Sequence, residues 1–244
     1  MIKTLRTIFK QDKEKFCIPR SVQQVIPIQA VWADGVFQVG RNKFTRTYKF
    51  MDINYAVASR EDQEAMFLEY SELLNSFDSG ATTKITINNR RLNRQDFEKA
   101  ILIPMREDGL DVYREEYNEM LLEKATGSNR MVQEKYVTVS VYKKTVEEAR
   151  SYFARVGTDL MGHFARLGSK CVELDATERL RALHDFYRAG EETAFFFDLQ
   201  QAMKKGHSFK DFICPDSFEF ERDHFKMGDR YGRVLFLRDY ASYI

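Results

Sequence analysis

Lys135-Tyr136-Val137-Thr138-Val139-Ser140-Val141-Tyr142 is the stretch whose reading decides the fold. Val137, Val139 and Val141 alternate with polar residues, the period-two pattern of a half-buried strand. A helix signal follows at once. Thr145 and Glu148 have capping-box spacing, in which each side chain satisfies a free amide at the helix start. Val146, Ala149, Phe153, Val156, Leu160 and Leu167 then recur at helical period, and Gly168 stands where a C-terminal cap belongs. Residues 170–174 read as a short strand, so 136–174 is strand, helix, strand.

The same order recurs upstream. Phe44, Tyr48 and Phe50 share one face of a strand over 44–50. Ser59 and Asp62 cap a helix over 60–77, with Met66, Tyr70, Leu73, Leu74 and Phe77 on one face. Residues 82–88 alternate as a strand around Ile85 and Ile87. Together the segments run β-α-β-β-α-β, which predicts an α+β fold with a ferredoxin-like (split βαβ) core. Helices over 94–103 and 111–125 are then an insertion between its halves.

The flanks add hairpins. Asp34-Gly35 separates the β-rich run 25–32 from 36–40, and such a turn needs positive φ at both positions. Asp175 and Glu178 cap a helix to about 188, and a further helix is expected over 192–205. Strands are expected at 218–220, 224–227 and 233–238. Residues 1–20 are polar and basic without an apolar face and read as an arm, with one α+β domain over 21–244.

Composition narrows the class. With 43% hydrophobic and 14% aromatic residues, the chain is too apolar for a disordered one. Lys plus Arg number 38 and Asp plus Glu 37, so the surface as a whole is no nucleic-acid footprint, although a local basic patch is compatible with that balance. Cys17, Cys171 and Cys214 are odd in number and widely spaced, which fits free thiols in a reducing compartment. Met1–Arg6 leads into no apolar run, so no signal peptide is expected, and no stretch is long and apolar enough to span a bilayer.

Catalytic motifs do not emerge. Gly80-Ala81-Thr82-Thr83-Lys84 and Gly162 with Gly168-Ser169-Lys170 both lack the G-x-x-x-x-G-K-[ST] spacing of a phosphate loop. Asp159 and His163 are four apart on a helix, which a surface ion pair explains. His184-Asp185 beside Glu178 offers too few donors for a metal, and Cys171 reads as a small buried hydrophobe. No catalytic, cofactor-binding or metal-ligating residue is therefore assigned.

Basic residues remain. Lys84, Arg90, Arg91 and Arg94 lie in a stretch, 79–95, that has no acidic residue, and Arg41, Lys43, Arg46 and Lys49 form a second group. In the split βαβ order 82–88 is an edge strand. Its cations are candidate contacts to phosphate, acidic lipid or an acidic partner. The plainer explanation is protection of an open edge against aggregation. Tyr136 and Tyr142 are candidates to stack bases, but the glycine and phenylalanine positions of the RNA-binding strand motif are missing, and two tyrosines on a solvated or packed sheet face are the plainer reading.

Several long strings carry a family resemblance: Ile18-Pro19-Arg20-Ser21-Val22-Gln23-Gln24-Val25-Ile26-Pro27-Ile28, Met51-Asp52-Ile53-Asn54-Tyr55-Ala56-Val57-Ala58-Ser59-Arg60-Glu61-Asp62, the run from Leu73 to Leu92, and Met227-Gly228-Asp229-Arg230-Tyr231-Gly232-Arg233-Val234-Leu235-Phe236-Leu237. They resemble the N-terminal region of VirB-four/TrbE/CagE-type ATPases, the conjugative type IV secretion motors of integrative and conjugative elements. The resemblance implies a non-catalytic domain that docks the motor to membrane-embedded secretion subunits and helps assembly, on the cytoplasmic side of a bacterial membrane. It implies contact with the parent's own ATPase domain, and self-association. ATP and magnesium are expected only in the motor, which lies outside this chain and carries the Walker motifs. The alternative reading is a module that binds single-stranded nucleic acid along the basic edge.

Overall fold

The computed structural model describes residues 18–91, 102–127 and 131–237. Residues 1–17 of the expected arm and most of the helix expected over 94–103 lie outside them. The chain divides into two compact units, one of Pro27–Cys214 and one of Met1–Ile26 with Pro215–Ile244.

The larger unit is α+β. Its sheet contains β1 (Ala30–Val31), β2 (Phe37–Gly40), β3 (Lys43–Phe50), β4 (Ala81–Arg91), β5 (Met131–Tyr142) and β6 (Cys171–Glu173). Its main helices are α1 (Arg60–Asn75), α2 (Asp111–Gly127), α3 (Val146–Arg166) and α4 (Ala176–Tyr187). The path runs β1-β2-β3-β5-β4, and β6 also pairs with β3. Every pairing is antiparallel.

β3 organises the sheet. One edge pairs with β5 over its whole length, from Lys43 opposite Tyr142 to Phe50 opposite Lys135. Its other edge is shared: β2 takes Lys43–Thr45, and β6 takes Tyr48–Phe50. β4 lies outside β5, from Ala81 opposite Val141 to Arg91 opposite Met131. α1 therefore carries the chain from β3 to β4 past β5, and α3 carries it from β5 to β6 past β3.

Alternation fixes what each face buries. Phe44 and Tyr48 of β3 and Val137, Val139 and Val141 of β5 form one core with Ala149, Tyr152, Phe153, Val156, Leu160, Phe164 and Leu167 from α3 and its C-terminal cap. Gly157 lets this helix come close. A Cβ there would lie 2.5 Å from Glu173 Oε1 and 3.0 Å from Tyr48 Oη. On the opposite face Thr47 and Thr138 share a hydroxyl hydrogen bond of 2.9 Å. There α4 sends Arg179 to donate to Gly35 O at 2.6 Å and Thr45 O at 2.9 Å, with its guanidinium 3.8 Å from the Phe37 ring centroid. The sheet centre is thus covered on both sides.

The expected caps form. Ser59, Thr145 and Asp175 accept from the amides of Asp62, Glu148 and Glu178, and the Asp175–Glu178 box is reciprocal. Gly168, at φ +75°, follows the α3 cap.

Other expectations need correction. The run 25–32 is a strand only at Ala30–Val31, because Val22–Val25 is a helical turn. In the β1–β2 hairpin only Gly35 has positive φ, at +82°, with Gly35 N–H donating to Trp32 O. This loop is longer than the two-residue turn that needs both. The helix expected over 192–205 breaks into a 3-10 turn at Glu192–Ala194 and a short helix at Leu199–Ala202. Phe195 is extended between them and packs on His184, and Asp198 caps a fresh start by accepting from Gln200 and Gln201. In the smaller unit β7 (Phe218–Phe220), β8 (Phe225–Met227) and β9 (Arg230–Gly232) form an antiparallel meander. The last strand falls at 230–232 rather than 233–238, since the tight turn at Gly228 pairs Arg230 directly with Met227.

Candidate functional site

The edge position expected for 82–88 is the position β4 takes in the sheet. Lys84 is exposed, in register with Thr138. Arg90 and Arg91 end the strand in backbone register with Val132 and Met131. The side chains of Arg90 and Arg91, and all of Arg94, lie outside the described residues. The second basic group disperses. Arg46 bonds Glu173 at 2.6 Å on the α3 face, Lys49 bonds Glu134 at 2.8 Å on the other, and Lys43 sits over the Tyr142 ring.

Of the two tyrosines proposed for base stacking, Tyr142 is half-buried and Tyr136 fully so. Tyr136 is buried, and its hydroxyl donates to Glu134 Oε2 at 2.7 Å. It is not available to a base. It lines a cleft of about 280 Å³ between α4 and the sheet, with Lys49, Glu134, Arg181 and Asp185. His184 Nδ1 is 3.7 Å from Asp185 Oδ1, beyond hydrogen-bond range. Burial, and then the charge of Glu173, pushes the Cys171 thiol up to about 12, and burial raises Cys214 too, so neither is poised as a thiolate. Gly80 lies in a turn closed by Ala81 N–H donating to Asp78 O.

Sequence reasoning missed a cross-helix cluster. His163 does not pair with Asp159. Its Nδ1 lies 2.6 Å from Glu69 Oε1 on α1, and Arg166 reaches both, with Nε 2.8 Å from Glu69 Oε1 and Nη2 2.6 Å from His163 Nδ1. The His163 hydrogen bond and Arg166 together hold the Glu69 carboxyl below its ordinary range, against partial desolvation. Glu72 lies one turn on, and donor atoms of Glu69, Glu72 and His163 fall within 4.8 Å of one another. The i,i+3 spacings of Glu69/Glu72 and of His163/Arg166 were visible, but nothing in one sequence pairs residues that are 94 apart.

The other missed feature is apolar. On α1 only Leu73 is buried, while Met66 and Phe77 pack partly against the core. Phe67 and Leu68 are 64% and 63% exposed, and Tyr70 and Leu74 of the expected core face are also exposed. Tyr55, Arg60, Gln63 and Glu64 join Phe67 and Leu68 around a shallow groove of about 430 Å³. The pattern continues on β4 with Ile85 and Ile87, and on α2 with Val112, Tyr113 and Tyr117. No described helix is long and apolar enough to cross a membrane. Exposed apolar side chains gathered in one place, as Phe67 and Leu68 are beside this groove, mark surfaces that other molecules cover. No protein-family model matches the chain, and no curated protein matches it.

Proposed function

We propose that this chain is a docking and assembly domain of a conjugative type IV secretion ATPase, holding the motor against membrane-embedded secretion subunits. The observation that carries the reading is the outer face of α1, where Phe67 and Leu68 stand in solvent beside the Tyr55–Arg60 groove. An amphipathic helix or extended segment of a membrane subunit fits such a groove through apolar anchors. The family-like strings support the same reading, since the one from Met51 to Asp62 contains Tyr55 and Arg60. Within the reading, the β-α-β-β-α-β wiring is a ferredoxin-like core, and the domain works at the cytoplasmic side of the membrane.

The test is co-purification of the chain with detergent-solubilised secretion subunits. Retention supports docking, and failure to associate removes it. A second reading, single-stranded nucleic-acid binding, rests on exposed Lys84 at the β4 edge. It requires binding that falls steeply with salt.

A further inference from the structure

We propose that Glu69, Glu72 and His163 form a divalent-metal site that clamps α1 to α3, with Arg166 as its built-in competitor. The donor set is one imidazole and two carboxylates from two packed helices, which suits zinc with a water as fourth ligand. Glu69 and His163 have side chains only 18% and 13% exposed, so folding holds both in place. Their facing atoms are already 2.6 Å apart, and Glu72 sits on the same helix face one turn away.

Proton accounting shows what the pair does. Guanidinium nitrogens only donate. Arg166 therefore donates through Nε to Glu69 Oε1, and its Nη2 stands 2.6 Å from His163 Nδ1. Metal binding takes the tautomer with the imidazole proton on Nε2, in which the Glu69–His163 hydrogen bond gives way and Nδ1 offers a lone pair. Nδ1 and Oε1 together present two lone pairs to one cation, much as the two oxygens of a carboxylate do. The guanidinium is thus a cation already drawn to the point where the donors converge. Zinc needs the same deprotonated Nδ1 and adds the Glu72 carboxylate, which Arg166 does not use. Arg166 is 56% exposed and can swing into solvent when a metal takes its place. Donor atoms within 4.8 Å of one another need to close only modestly to share one zinc at bond lengths of about 2.0–2.2 Å.

The experiment is titration of the tag-free full chain with zinc, and with cobalt for its visible bands, followed by thermal unfolding. Wild type should take up one equivalent, show nitrogen and oxygen ligation without thiolate charge transfer, and unfold at higher temperature with metal. Arg166→Ala should bind roughly two- to fivefold more tightly, the equivalent of one lost exposed ion pair. Glu72→Gln, at an exposed position, should keep the fold and bind about tenfold or more weakly, and His163→Ala should not bind at this site. Uptake unchanged in Glu72→Gln and His163→Ala, or no tightening in Arg166→Ala, overturns the proposal.

Discussion

α1 and α3 occupy matching places in the wiring and are built to different ends. Each starts at a hydroxyl cap and carries the chain past one strand to the next. α3 buries seven of its residues and α1 buries one. The surplus apolar side chains of α1 face solvent, although its sequence has an apolar stripe of the same period. An amphipathic pattern therefore establishes a helix, but it does not establish whether the partner of its apolar face lies in the same chain. α3 is a folding element. α1 folds as one and leaves apolar surface in solvent.

Leu160→Ala, in the middle of the α3 stripe, should produce the largest loss, about 2–5 kcal/mol by chemical denaturation. A loss below 1 kcal/mol would mean that α3 packs as loosely as α1, and the contrast would fail. Gly35→Ala tests the sheet beneath α3. The left-handed φ alone costs about 1–2 kcal/mol, and the added Cβ would lie 2.1 Å from Leu174 O, next to β6. A melting temperature equal to wild type would show that this close approach does not exist.

Glu69→Gln tests the link between the two helices. In the folded state the Glu69 pKa is lowered by His163 and Arg166, so its stabilisation is full above the ordinary carboxylate pKa and is lost as pH falls through the lowered one. The variant should be less stable near neutral pH and lose less than wild type on acidification. Parallel acid limbs for the two proteins would remove Glu69 from the link. The smallest stability effect belongs to Leu68→Ala, within about 0.5 kcal/mol, because this side chain stands in solvent.

The sequence was most informative where local and long-range signals agree. The alternation of Val137, Val139 and Val141, the α3 stripe and the three caps at Ser59, Thr145 and Asp175 all have counterparts in the structure. Caps and periods are local chemistry and can be read from neighbours in the chain. The helix expected over 192–205 is broken because Phe195 packs on His184, Phe196 and Phe197 pack on Phe212, and the Asp198 side chain restarts the backbone. Whether Tyr136 faces solvent or packing is not legible locally, because nothing nearby in the sequence announces that α4 and Glu134 enclose it. The Glu69–His163–Arg166 cluster and the exposed face of α1 depend on which helices meet, and that information is tertiary. The basic edge stands between these cases: the edge position of Lys84 was legible, whereas the dispersal of Arg46 and Lys49 to opposite faces into ion pairs was not.

The most direct test of the contrast joins binding and stability in one variant. Phe67→Glu together with Leu68→Glu should leave the melting temperature of the isolated chain close to wild type and abolish its retention on the solubilised secretion subunits. Undiminished retention by this variant, with the wild-type chain retained in the same experiment, would contradict the account that α1 is the docking face.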